Sequence, residues 1–242
     1  MAEPLHFERS VGDTLRAFAP VPIDSTRGIS LLFACTGGDS TSIRVPVAKA
    51  TYQLERLTVD PRFSATPDSM LAERLRRESA RAAAVADASH ETPRLWIRGF
   101  VPPRPSRITS TFGKGRQFNG VITSRHMGTD FAGQTGAPVH AANRGVVRLV
   151  DAFYLGGNVV YVDHGAGITT AYLHLSQTLV TVGDTVDSGT LIGRVGATGR
   201  VTGPHLHLIM RYGRTSLDPL SLFALTRAVT PARPTTKLPA AP

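Results

Sequence analysis

Residues 200–210 read RVTGPHLHLIM and set His205 and His207 one residue apart in an apolar run. The Leu, Leu, Ile and Met of this run predict an extended strand, in which successive side chains alternate between faces. His205 and His207 then point one way, and Leu206 and Leu208 the other. At roughly 3.3 Å of advance per residue, the two imidazoles stand ~6–7 Å apart on a shared face. That spacing lets both serve one site without binding the same atom, so one can hold a metal while the other handles protons.

The surrounding text supports a β domain. From Ser106 to about Leu225, runs of β-formers alternate with glycine turns, as in RGVVRLVDA, GNVVYVDHG, ITTAYLHL and TLIGRVGA. VPPRP at 101–105 is a stiff proline hinge and marks a domain boundary. Before it, residues 1–100 carry GISLLFACT, SIRVPVAKATY and LERLTV between turn-prone GGDS and DPRFS, which predicts a small β-sandwich-like domain. Within that region, Thr66-Pro67-Asp68 supplies a cap and a first-turn proline for a helical arm over about 67–89. Its arginines read as a solvated face, or as a basic arm lying on an anionic substrate or across the next domain. The Pro-, Ala- and Thr-rich tail, 226–242, is expected to be disordered. The predicted class is mainly β, an antiparallel sheet domain over 106–225 preceded by the sandwich-like domain with its one helical arm.

Composition narrows the function. A chain of 242 residues can bury a sizeable core. No apolar stretch approaches the ~20 residues of a membrane span. The net charge of +9 rests on 24 Arg and three Lys and favours polyanionic surroundings. The basic residues are scattered, with no helix-turn-helix, zinc finger or aromatic RNA-binding pattern, which argues against nucleic acid. A lone cysteine, Cys35, excludes an intrachain disulfide and a cysteine-based zinc knuckle, and reads as a buried strand residue. The start, MAEPLHFER, carries no secretory signal.

Besides His205 and His207, the second domain holds His126, His140, His164 and His174, with six aspartates and no glutamate after Glu91. A helical H-E-x-x-H metallopeptidase motif is therefore excluded, and the proton carrier of a hydrolase here must be His or Asp. In SRHMGTDFAG, His126 and Asp130 would lie ~13 Å apart on a straight strand, too far to share an ion, so a bend at Gly128 is required. His126, Asp130 and one of the paired histidines make a two-His, one-Asp set with a fourth position left for water, a catalytic rather than structural zinc pattern. Arg116 and Asn119, shortly before the metal loop, are candidates for binding substrate carboxylate or carbonyls. Tyr172 shares a strand face with His174 and is a candidate substrate contact or packing residue. His140 and His164 read as structural or exposed.

The ordered series SxFGxxR (Ser110 to Arg116), HxGxDF (His126 to Phe131), Gly136 to Val139, YxHL (Tyr172 to Leu175), VGDxVxxGxxIGxVGxTG (Val182 to Gly199) and TGPHLH (Thr202 to His207) strongly resembles the lysostaphin-like zinc metallopeptidases across 106–225. The resemblance implies a β-sheet enzyme that cuts the peptide parts of bacterial peptidoglycan. It implies one zinc per chain held by His126, Asp130 and His207, with His174 and His205 flanking the bound water as catalytic residues. It also implies a periplasmic, cell-envelope or secreted location, reached by a leader outside these residues, with peptidoglycan as partner and a monomeric chain. Two other classes compete. A non-hydrolytic wall-binding module or activator would be expected to have lost metal ligands, whereas all five positions are present. A biotinyl or lipoyl carrier would explain VGDTVDSGTLIGRVGATG but needs a lysine at the hairpin tip, and none occurs between Lys114 and Lys237.

Overall fold

The computed structural model describes residues 3–9, 12–34 and 38–228. Cys35 and residues 229–242 lie outside them. In chain order the N-terminal strands are β1 (Glu8–Arg9), β2 (Leu15–Arg16), β3 (Ile29–Ala34), β4 (Ser40–Val45) and β5 (Leu54–Leu57), followed by helix α1 (Ser69–Ala88). Then come β6 (Ile108–Ser110), β7 (Gly115–Phe118), β8 (Ile122–Arg125), β9 (Thr129–Ala132), β10 (Pro138–His140) and β11 (Gly145–Phe153). The chain continues through β12 (Gly157–Gly165), β13 (Ile168–Thr178), β14 (Thr185–Val186), β15 (Leu191–Val195), β16 (His205–Tyr212), β17 (Thr215–Leu217) and α2 (Pro219–Ala228).

The class is mainly β. Among the described residues a ten-stranded sheet runs β14-β11-β12-β13-β16-β9-β6, with β15 joining β13 to β10 and β17 lying beside β16. Every pairing within it is antiparallel. The strand expected over the histidine pair is β16. Its Leu206, Leu208 and Met210 are fully buried in the main core with Tyr172, Val160 and Val162. The opposite face of the sheet packs Leu149, Val159, Tyr161 and Leu173 against Ala82 and Val85 of α1. The arm therefore lies across the sheet, fixed by Arg81–Asp151 and Arg214–Asp87 ion pairs. Asp68, whose side chain accepts from Leu71 N at 2.7 Å, caps the helix, so Pro67 stands before it rather than in its first turn.

The N-terminal strands do not form two facing sheets. β1–β2 and β3–β4 are separate two-stranded ladders, while β5 adds in parallel to β7, which pairs in turn with β8. No described side chain before Val59 is buried. All of β4 is exposed and its sequence, STSIRV, has too little apolar surface to close a sandwich. The proline stretch 101–105 is likewise pinned rather than free to swivel. Val101 N donates to Ala142 O, His140 N donates to Pro103 O, and the preceding Trp96 and Phe100 belong to the main core. Trp96 also meets Phe18 and stacks under the Arg94 guanidinium, 3.6 Å away. At the other end, α2 continues to Ala228, past the expected start of the tail, and its buried Thr226 hydroxyl accepts from Phe100 N.

His164 lies in this core. Its Nδ1 is 2.8 Å from the Arg144 carbonyl, and so donates, which leaves Nε2 to accept from the Thr170 hydroxyl at 2.9 Å. Burial pushes its pKa down from 6.5 to about 4, against the opposing pull of the Arg144 carbonyl and Asp163. Between these values the unfolded chain binds the extra proton, so stability is full above pH 6.5 and falls as pH drops towards 4, by roughly 3 kcal/mol for this group. The expected result is a melting temperature that drops over this window, with a shallower dependence in His164→Asn. Parallel pH curves for the two proteins would refute it.

Candidate active site

Five side chains converge on the open side of β9 and β16. Asp130 of β9 faces His207 of β16 in register, and His205 faces Ala132, which puts Asp130, His205 and His207 on one face. His126 comes from the corner between β8 and β9. The corner is locked by Gly113 N donating to His126 O at 2.7 Å and His126 N donating to Lys114 O at 2.8 Å. It also needs Gly128, where a Cβ would stand 2.3 Å from the Leu208 carbonyl oxygen and 2.8 Å from His207 Cε1. The required bend is thus present, and only glycine lets it pass β16.

His174 arrives by a different device. Tyr172 pairs with Val160 but Leu175 with Asn158, so β13 spends three steps where β12 spends two. This bulge sits where β13 leaves β16 for β15. His174 takes φ +64° within it, and its N–H donates to Gly156 O at 2.8 Å. A bulge re-aims a side chain. It turns His174 towards the site, with ring centroids 5.0 Å from His205 and 5.9 Å from His207. Tyr172 is left in the core, where its hydroxyl accepts from Ala142 N at 2.7 Å and bonds Thr170, and burial raises its pKa to about 12. The expectation that Tyr172 shares a face with His174 is corrected accordingly, and of its two readings, substrate contact or packing, the core position fits packing.

Hydrogen bonds fix the tautomers. His126 Nδ1 lies 2.8 Å from Thr111 O, His174 Nδ1 2.8 Å from Thr198 O, and His205 Nδ1 2.9 Å from Gly203 O. A ring nitrogen against a carbonyl must carry the proton, so each neutral ring offers its Nε2 lone pair. His126 Nε2 then stands 3.1 Å from Asp130 Oδ1 and 3.0 Å from His207 Nδ1, which is 2.6 Å from the same carboxylate oxygen. Three such atoms, all within 4.8 Å of one another, repel unless a cation or proton lies among them, and His, His and Asp are ligands that suit zinc. Burial opposes the Asp130 charge, but the adjacent His126 and His207 rings outweigh it and hold the carboxyl far below its ordinary range. Burial, with His207 and His205 adding repulsion, keeps His174 well below the usual imidazole range.

Residues 124–219 match the family described as Peptidase family M23. This segment of the chain is similar to M23 peptidases. The peptidoglycan DD-endopeptidase ShyA of Vibrio cholerae is 46% identical over 110 residues, covering 43% of this chain and 25% of ShyA. The DD-carboxypeptidase/endopeptidase Mpg of Neisseria meningitidis is 39% identical over 128 residues, 52% of this chain and 29% of Mpg. The chain thus spans only about a quarter of the length of these curated relatives. Among solved structures, a peptidase M23 described as putative, from Pseudomonas aeruginosa, superposes with TM-score 0.69 at 26% identity, over 91% of this chain and 84% of that one.

The matched M23 segment contains His126, Asp130, His174, His205 and His207, whereas Glu55, Ser110 and Arg116 lie outside it. Arg116 Nη2 donates to Asp130 Oδ2 at 2.5 Å and its Nε to Glu55 Oε2 at 3.3 Å, so its guanidinium is engaged by two carboxylates, although it still lines a cavity beside Asp130, His174 and His205. Asn119 is committed within the fold. Its amide clamps Val59 at both N and O and donates to Ser64 Oγ. His140 lies apart, against Pro103 O. Arg200 lines two cavities, one shared with Asp130 and His205 and one with His126 and His207, and lies over the Phe118 ring at 4.0 Å. Among the described residues, no acidic side chain pairs with it. Glu55 escaped the sequence reading because a parallel pairing of β5 with β7 brings it from 61 residues away, opposite Arg116. Burial raises the Glu55 pKa, but Lys114, Ser110 and Arg116 together hold it below the usual value.

Proposed function

We propose that the protein is a zinc-dependent endopeptidase, with one zinc per chain, that hydrolyses peptide bonds in the stem or cross-bridge peptides of bacterial peptidoglycan. The observation that carries this reading is the convergence of three lone-pair atoms beside two further imidazoles whose Nδ1–H groups are tied to carbonyls. His126 Nε2, Asp130 Oδ1 and His207 Nδ1 would hold the ion. Bound zinc supplies a Lewis acid for the scissile carbonyl and lowers the pKa of water.

The side chains do the rest. His205 Nε2, 3.7 Å from Asp130 Oδ1, and His174 Nε2 present lone pairs at the centre. One accepts the proton of the attacking water, and the other steadies the oxyanion or protonates the leaving amine. Arg200, with no acidic partner among the described residues, gives the adjoining cavities a positive lining that suits a peptide carboxylate. Since ShyA is named a DD-endopeptidase, the D,D cross-link is the first bond to examine. Such a substrate places the protein in the periplasm, the cell envelope or outside the cell. Mass spectrometry of fragments released from purified peptidoglycan, with and without a zinc chelator, tests this. Chelator-sensitive release of cut stem or bridge peptides is expected, and no release by zinc-loaded protein sinks the reading.

A further inference from the structure

Glu55 stands behind the centre and reaches it by two arms. In the first, both Glu55 oxygens lie 2.9 Å from Ser110 Oγ, which is 3.1 Å from His126 Nδ1. In the second, Arg116 bridges Glu55 Oε2 to Asp130 Oδ2. Lys114 Nζ, 2.8 Å from Glu55 Oε1, balances the charge. The arms do different chemical work. An ionised carboxylate only accepts, so it captures the single Ser110 hydroxyl proton and leaves the serine oxygen as acceptor towards His126 Nδ1–H. That reinforces the tautomer with Nε2 pointing inward. The Arg116 arm holds Asp130 Oδ2, so that Oδ1 alone turns to His126 and His207.

Resting on the metal-site reading above, we infer that Glu55 is a positioning residue for the metal centre, orienting two of its three ligands through Ser110 and Arg116 from a strand outside the peptidase segment. The N-terminal region thereby completes the site. A competing account is that the cluster only glues β5 to β7, and Asn119 separates the two, since it clamps the same segment at Val59 without touching Glu55.

The experiment compares the full-length wild type, Glu55→Ala, Glu55→Gln and Asn119→Ala. It measures zinc affinity by competition with a chromophoric chelator and the visible absorption of the cobalt-substituted proteins. Glu55→Ala is expected to weaken zinc about ten- to a hundredfold, the usual range for an outer-sphere partner, and to alter the cobalt spectrum. Glu55→Gln, which keeps an acceptor for Ser110 but loses the charge facing Arg116, is expected to fall between, and it keeps the test open should the alanine variant not fold. Asn119→Ala is expected to lower the melting temperature and leave zinc affinity unchanged. Zinc affinity unchanged in both Glu55 variants, or turnover raised by them, would overturn the inference, the second result marking Glu55 as a competitor for Arg116. If the wild type itself binds no zinc, the metal-site reading fails first.

Discussion

Replacing His207 by alanine is expected to strip the protein of zinc. Its Nδ1 is one of three converging candidate ligand atoms, 2.6 Å from Asp130 Oδ1 and 3.0 Å from His126 Nε2. Four-ligand zinc sites are worth about 10–16 kcal/mol, so one ligand accounts for roughly 3 kcal/mol, or about a hundredfold in affinity. Metal analysis after dialysis should find the variant largely zinc-free where the wild type holds one ion per chain. Full zinc occupancy in His207→Ala would remove it from the ligand set.

His174→Ala should behave in the opposite way, with zinc retained and turnover lost. The ring sits beside the ligand set rather than in it, and its Nδ1 and backbone N–H are both committed to loop carbonyls, at Thr198 and Gly156. That anchoring suits a group that must meet a proton at one place. Loss of a general acid or base costs about a hundred- to ten-thousandfold in rate. Turnover of a cross-linked muropeptide, measured alongside zinc content, separates the roles. Equal zinc loss in His174→Ala and His207→Ala would erase the distinction between holding the metal and moving protons.

Both variants turn on features that differ in how openly the chain displays them. The alternation in HLHLIM placed His205 and His207 on one face and Leu206 and Leu208 in the core, because period-two burial is a local property. The bend at Gly128 was legible for the same reason, since the distance between His126 and Asp130 left no alternative. The aim of His174 was not. Alternation groups it with Tyr172, and only the bulge, a consequence of β13 changing partners from β16 to β15, separates them. Asn119, at φ +49°, looked available beside the metal loop, but its amide is spent on Val59 and Ser64. The N-terminal ladders and the β5–β7 pairing were hidden for a related reason. Strand propensity marks where a strand can form, while its partner is chosen by surfaces distant in sequence.

The chain has a single tryptophan, and it sits in the joint between the pinned proline stretch and the sheet, 2% exposed. Its ring touches Phe100 on one side and Phe18 on another, beneath Arg94. Fluorescence from the whole protein therefore has one indole source, lodged in the core and not among the ligands of the centre. A red shift in its emission reports water entering that joint, so unfastening of the N-terminal region can be followed by light while the metal and the peptide bond are followed by other means.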